Sequence, residues 1–547
     1  MSEHGETTVS TTPGAPRLFV REATGLTKDI RPLDVFVYNT NNQNIGIGIA
    51  FMILLVPALY PGASMIWGTL LSCLIAVPMA AVYAYFSTVM PRSGGDYIYI
   101  SRTLHPALGF VSGWNWVAWM TLYVGIPAAF FGQYGLTGFF RMLGASLNNS
   151  GLVSLGNKFS TDWGIFIAGT LLIAFFGYLF WRGTRAYFKV QNVAFAIATL
   201  GLVLAAIILI FASPDRFTQA FNEYARSLGG PANAAQRVMQ LAKSQGYVPG
   251  APFSWHQTLV SMTWPLYIVL FAITSSFLGG EVRSARKTQF LGMPVSVLYV
   301  TAWMVFLVAL VVRLAGYPLL GAIGYLLPAD LQKAAGMSFS PTYNELVAML
   351  VRSNPFIVGL LGLSFIFWTY VWLPINYLAS TRAILAWSFD RVFPEKMAYV
   401  NPKTHTPTWA IVLVGLLGEF ALIAYVLNWV TNISGIFGWI ISFIITALAA
   451  VVFPFRRKDL YETSPLRGTI AGIPWIAVVG FIALVGLLIA EYPFWVDPIV
   501  GVKVLPWMKY VLPGVFVSGF AWYYAARAIQ RRRGIRVEQA FAEIPPE

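Results

Sequence analysis

Cysteine is almost absent from this sequence: Cys73 is the only one in 547 residues, which rules out a disulfide framework and a thiol-rich metal site. Histidine is nearly as scarce. His4, His105, His256 and His405 stand at or beyond the ends of apolar stretches and share no metal-ligand spacing, so an intramembrane enzyme would lack the ionisable cluster it needs. Charge is thin as well, at 11% of residues against 57% hydrophobic, where a soluble domain carries about 25%. The solvent for most of the chain is therefore lipid. The net charge of +14 comes from Lys and Arg scattered in short clusters between apolar runs, which argues for membrane topology signals and against a nucleic-acid face. The first 31 residues have no short apolar core with a small-residue cleavage site. They are expected to stay as an uncleaved, disordered segment.

What the chain does have is long apolar runs. A spanning helix needs roughly 20 mainly apolar residues, and twelve stretches qualify, near 33–60, 64–90, 107–140, 163–182, 187–212, 256–280, 289–315, 355–388, 407–429, 432–454, 468–490 and 506–528. Alternating the connections puts most of the 36 Lys and Arg, including Arg456-Arg457-Lys458 and Arg531-Arg532-Arg533, on one side. The positive-inside rule makes that side the cytoplasm and leaves both termini there, in a multi-pass protein of the cell membrane. The expected organisation is a free segment 1–31, a ten-span core 32–454, two further spans in 455–528 and a tail 529–547. Two outer connections have helical patterns. In 316–354, Ser340 and Pro341 read as an N-cap and first-turn proline ahead of Leu346 and Leu350. In 213–255, Val238, Leu241 and Ala242 form an apolar stripe ending near Gly246.

One stretch does not belong in hydrocarbon. Tyr38-Asn39-Thr40-Asn41-Asn42-Gln43-Asn44 lies inside the first span and runs into Ile45-Gly46-Ile47-Gly48-Ile49. Buried amides must face protein, water or a ligand, and two glycines one residue apart favour local unwinding. An unwound turn at mid-membrane frees N–H and C=O groups able to hold a small zwitterion. The competing reading is close helix packing through small residues with polar contacts between helices.

Three further stretches carry a family resemblance. Pro91-Arg92-Ser93-Gly94-Gly95-Asp96-Tyr97-Ile98-Tyr99 with Gly109-Phe110 and Gly113-Trp114 resembles the P-R-x-G-G-x-Y-x-Y and G-F-x-x-G-W pattern of amino acid permeases. Ser380-Thr381-Arg382-Ala383-Ile384-Leu385-Ala386, Asp390-Arg391-Val392-Phe393-Pro394 and Thr406-Pro407 resemble a second series, with Arg391 in place of its glycine. Gly280-Glu281-Val282-Arg283-Ser284 resembles the E-V-K-N-P sequence, with Ser284 and Ala285 replacing its last two residues. On these motifs the chain is identified as a member of the amino acid-polyamine-organocation superfamily.

That resemblance implies an all-α LeuT-type fold, with spans 1–5 and 6–10 as inverted repeats and spans 1 and 6 broken around a central site. It also implies secondary transport by alternating access. The polar run and glycines of the first span make Gln43, Asn44, Gly46, Ile47 and Gly48 candidate substrate-binding residues, and the resemblance adds Tyr267 as a gate or pocket wall, Leu270 and Phe271 at the sixth span's unwound turn, and Asn376 in the eighth. Pro265 is a second candidate for the break. Trp116 and Trp119 suit a pocket wall or plain packing. Glu419 is the one acid deep in an expected span and a candidate for coupling. Glu281 is expected in an inner charge network with Arg283, Arg286 and Lys287.

A cationic cargo needs an acidic partner, since an unpaired charge is expensive in a span, and none lies deep in spans 1, 3, 6, 8 or 10. A small neutral amino acid is the leading substrate, with an amine, organic acid or nucleobase as the alternative, or a sensor that binds without transporting. No cofactor is expected. Val190 to Phe211 holds no ionisable residue for proton coupling, and Thr199, Ser364 and Thr369 supply hydroxyls for sodium, so proton symport, sodium symport and exchange all stand. The partners expected are the solute and the lipid bilayer, without nucleic acid.

Overall fold

A computed structural model describes residues 25–328, 334–336, 342–429 and 435–541. It is helical almost throughout. Among the described residues nine helices are long and apolar enough to cross a membrane, and a bent pair in the sixth span makes ten. The other two expected spans are also helices of 25 residues, Pro106–Phe130 and Met508–Arg532. Their Trp, Tyr, Gly and Pro content lowers their mean hydropathy below that of the other spans. The third span runs on through a π-helical turn, Phe131–Leu136, to Leu147.

Both the first and sixth spans are interrupted. The first consists of Pro32–Gln43 and Ile45–Leu59, separated by Asn44 at φ 51°. Asparagine tolerates that left-handed backbone better than most residues, and its side-chain oxygen accepts from Ile47 N, starting the second half as an N-cap. In the sixth span Trp255–Ser261 and the segment Thr263–Phe277, α-helical over Thr263–Val269, meet at a bend of 42°. Pro265 explains the bend, because its ring clashes with the carbonyl four residues back. The chain then leaves the α-helix after Val269 and reaches Ser284 through two short 3₁₀ turns, Thr274–Phe277 and Gly279–Glu281. Pro265 and Leu270-Phe271 thus mark two separate departures from one straight helix.

Elsewhere the boundaries shift for local reasons. The seventh span, Pro294–Tyr325, kinks at Gly316, whose φ of 69° no β-carbon-bearing residue adopts cheaply. A two-residue turn, Ala471-Gly472, closes a small hairpin of Thr469–Ile470 and Ile473–Pro474, so the eleventh span starts at Trp475 and extends to Val496. The loop helix expected near Val238 is Ala234–Ser244, with Val238 and Ala242 buried. Ser340 and Pro341 lie outside the described residues; the helix that follows is Tyr343–Ala348, capped by Thr342 with Glu345 completing a capping box.

Both ends of the described chain meet one face of the bundle, called here the terminal face. Ala540 O accepts from Arg102 there. Ile30 N donates to Glu281 O and Arg283 N to Ile30 O, so residues 29–31 lie as a strap over the end of the sixth span.

Candidate functional site

The two helix breaks lie side by side, and the amides of the first span stitch them together. Asn39 Nδ2 donates to Ser275 Oγ at 2.9 Å and to Gly292 O at 3.1 Å, while its Oδ1 accepts from Ser275 N. Asn42 Nδ2 donates to Phe271 O at 3.0 Å and to Thr274 Oγ1. Gln43 Nε2 reaches Ser296 Oγ of the seventh span, and Asn44 Nδ2 reaches Trp368 O of the eighth. Trp372 Nε1 donates to Asn42 O at 2.6 Å. The cost of burying this polar run is thus met by neighbouring helices. Thr40 Oγ1, Asn41 Oδ1 and Gln43 Oε1 are buried without a hydrogen-bond partner among the described residues.

The glycines serve packing. A β-carbon on Gly46 would stand 2.3 Å from the Trp368 ring, and one on Gly48 2.7 Å from Ile268. Both positions bring the second half of the first span, Ile45–Leu59, against the eighth and sixth spans, and Ile47, between them, is buried.

On the opposite side from the terminal face, an uncharged cavity of about 330 Å³ reaches toward the breaks. Phe51, Phe130, Tyr134 and Trp264 wall it, and Tyr123, Tyr267 and Trp372 form its floor. The Tyr267 hydroxyl donates to the Tyr123 hydroxyl at 2.8 Å, and the Tyr267 and Trp372 rings meet edge-on at 5.3 Å. Below them an aromatic column continues: Tyr123 on Trp439 at 5.1 Å, Phe271 on Trp439 at 4.9 Å, Trp439 on Trp116 at 5.4 Å. Trp116 Nε1 ends the column on Asp96 Oδ2 at 2.8 Å.

The terminal face is shut by buried ion pairs. Arg382 holds Glu281 in a two-pronged contact, Nε to Oε1 at 2.7 Å and Nη2 to Oε2 at 2.9 Å, and Thr184 Oγ1 adds a third bond. Both side chains are at most 2% exposed. Arg102 pairs with Asp390 at 2.6 Å, and the Tyr97 hydroxyl donates to the same oxygen. The three motif stretches therefore converge: Asp96 and Tyr97 from the first, Arg382 and Asp390 from the second, Glu281 from the third.

Several expected residues have other partners. Glu281 is bound to Arg382, whereas Arg283 reaches Asp29 on the strap. Asn376 Nδ2 donates to Trp372 O one turn back in its own helix. Leu270 is buried at the end of the sixth-span helix, and Phe271 packs in the aromatic column. Trp119 Nε1 donates to Asn115 Oδ1, a packing contact within the third span. Glu419, half-buried on the ninth span, accepts from Thr170 Oγ1 of the fourth at 2.5 Å. Ser364 and Thr369 hydroxyls donate to Ala198 O and Ile366 O, whereas Thr199 Oγ1 is buried without a hydrogen-bond partner among the described residues. Sequence reasoning missed Arg382 as the partner of Glu281, Tyr123 as the partner of Tyr267, and Glu491, which falls inside the eleventh span once its boundary moves. The signal for Arg382 was a cation inside an otherwise apolar span.

Comparison with known proteins agrees with this architecture. A family profile described as amino acid permease matches residues 33–520. A branched-chain amino acid permease of Lactococcus lactis subsp. cremoris (strain MG1363) is 24% identical over 431 residues, covering 78% of this chain and 82% of that protein. A methylthioribose transporter of Bacillus subtilis (strain 168) is 24% identical over 493 residues, covering 88% of each, and a branched-chain amino acid permease of the same organism is 21% identical over 440 residues, covering 77% and 82%. With twelve helical spans among the described residues, two of them broken side by side, and a match over residues 33–520, the chain belongs to the amino acid permease family of the amino acid-polyamine-organocation superfamily.

Proposed function

We propose that this protein carries small neutral amino acids across the cell membrane by alternating access, with both termini in the cytoplasm and the aromatic cavity facing outward. The observation that carries the reading is the chemistry left over at the first-span break. The amide N–H groups of Asn39, Asn42, Gln43 and Asn44 are spent on neighbouring helices, while acceptor oxygens of Thr40, Asn41 and Gln43 have no partner among the described residues. Acceptors suit an ammonium group. The first backbone amides of the outer half-helix, at Ile45 and Gly46, suit a carboxylate at the positive end of the helix dipole. The uncharged aromatic cavity above the break then favours an apolar side chain, in keeping with the two relatives named as branched-chain amino acid permeases.

A second reading follows from the relative named as a methylthioribose transporter: a neutral polar solute with an apolar tail would fit the same cavity. Uptake into liposomes separates the two. Labelled leucine, isoleucine and valine, and separately a neutral thiosugar, are offered to purified protein with a proton gradient, a sodium gradient or unlabelled internal substrate. Saturable uptake of the amino acids supports the first reading, and the stimulating condition identifies the coupling. Uptake of the thiosugar alone overturns it.

A further inference from the structure

We infer that the terminal face carries a binding site for a phosphate-bearing anion, separate from the central cavity, and that its occupation clamps this face shut. A cavity of about 520 Å³ opens between the strap, the first turn of the first span, the junction of the fourth and fifth spans, and the loop before the ninth. Among the described residues Arg31, Arg182, Arg185, Lys189 and Lys403 line it, against two carboxylates, Asp29 and Asp34.

Both carboxylates are already engaged. Asp29 pairs with Arg185 and with Arg283, each at 2.8 Å. Partial burial alone would raise the pKa of Asp29, but the hydrogen bonds and charges of those two arginines outweigh it and hold the carboxyl below its usual range. Asp34 accepts from Asn192 Nδ2 at 2.6 Å and from Arg31 N at 2.9 Å. The remaining positive charge rests on Arg31, Arg182, Lys189 and Lys403, none of which has a carboxylate within ion-pair distance among the described residues. Four cations around one concave space repel one another, and the field they make concentrates anions.

A second feature points the same way. The fifth span, Thr184–Phe211, begins after Gly183 at φ 124°, a cap residue with no side chain to bond its first amides, and Gly183, Thr184 and Arg185 all line the cavity. An uncapped start of a 28-residue helix offers N–H donors and the positive end of a dipole to an anion. The Lys ammonium groups and the Arg forks match the tetrahedral oxygens of phosphate.

The clamp follows from where the walls belong. The strap is hydrogen-bonded to Glu281 and Arg283 at the end of the sixth span, and Thr184 is bonded to Glu281. An anion touching strap, first span, fifth span and the loop at Lys403 adds contacts that exist only while these segments lie together. It therefore stabilises the closed arrangement by its differential affinity.

The anion has two sources, an anionic phospholipid headgroup of the cytoplasmic leaflet or a free phosphate. The full chain, purified in a neutral detergent, is titrated with dioctanoyl phosphatidic acid, dioctanoyl phosphatidylcholine and inorganic pyrophosphate, reading binding by thermophoresis. Saturable binding of the anionic probes is expected. The pair Lys189→Glu and Lys403→Glu is expected to weaken it by at least about tenfold, at around 1 kcal/mol per cation near an anionic surface, while Arg531→Glu with Arg532→Glu at the end of the twelfth span leaves it unchanged. If the charge reversal prevents folding, Lys189→Gln with Lys403→Gln takes its place. Binding of phosphatidic acid alone supports the site with a lipid source, and equal binding of pyrophosphate supports it with a free anion. Saturable binding by neither anion, or binding that survives loss of both lysines, overturns the proposal. The readout needs no transported substrate, so its failure is distinguishable from failure of the transport reading.

Discussion

Glu281→Gln should open the terminal face. The carboxylate receives both prongs of Arg382, at 2.7 and 2.9 Å, and neither side chain is more than 2% exposed. Replacing one member of such a pair strands a buried charge, which costs about 3–5 kcal/mol. If the fifth, sixth and eighth spans separate when this face opens, that cost falls on the closed state only, because water then reaches Arg382. A difference of this size moves the closed-to-open ratio by roughly a hundred- to several thousandfold. Thiol labelling reads the change. In a Cys73→Ser background, Ser380→Cys places a reporter at a fully buried position two residues before Arg382. Labelling of that reporter by a small water-soluble maleimide added at the terminal face should accelerate in Glu281→Gln and in Arg382→Gln. In the double variant Glu281→Leu, Arg382→Met it should slow again, since an apolar pair of similar volume satisfies the same space. Unchanged labelling in variants that still melt cooperatively would refute the argument: the pair would then persist in both states and serve stability alone.

The cavity floor makes a smaller prediction. Tyr267→Phe keeps the rings in place but deletes the bond to Tyr123, worth about 0.5–1.5 kcal/mol, so labelling of a cysteine at Phe271 from the opposite face should rise by up to about tenfold with little loss of melting temperature. Gly48→Leu should destabilise by about 1–3 kcal/mol through collision with Ile268; adding Ile268→Ala should recover much of the loss, which a packing role requires and a purely ligand-binding role does not. Asn42→Asp should harm folding more than Asn42→Ala, because it turns an acceptor and a buried charge toward Phe271 O, and denaturation monitored by fluorescence gives the ranking. Asp29, depressed below its ordinary 3.8, contributes its strap contacts fully above that value and loses them only as pH falls through its lower folded pKa. Acidification from pH 7 to 5 should therefore leave hydrogen exchange of the strap at Ile30 unchanged.

The spans were legible because lipid imposes one length and one composition on every crossing helix. The first break was legible for the same reason, since seven polar side chains in hydrocarbon demand an explanation. The sixth break was not: Leu270-Phe271-Ala272-Ile273 reads as continuous apolar helix, and what interrupts it comes from elsewhere, from Asn39 and Asn42 taking up the carbonyl and amide groups that unwinding frees. Only the family resemblance placed it. The Glu281–Arg382 pair joins residues 101 apart in sequence, and no local pattern encodes such a contact. Glu491 escaped because the Ala471-Gly472 turn displaced the start of the eleventh span, and with it the end.

The amide run shows where composition stops informing. A buried amide must be satisfied, but that requirement does not distinguish cargo from protein: Asn39 and Asn42 hold the two broken helices together, while Gln43 and Asn44 tie the first span to the seventh and eighth. Their conformational role and a binding role are linked all the same. Asn42 and Asn39 can satisfy the sixth-span backbone only because that span has unwound, and its unwinding is tolerated only because they are there. Each break is the other's solvent. A substitution that makes either helix continuous removes the partner groups of the other, so the two breaks should be lost together, and whatever the site holds would be lost with both.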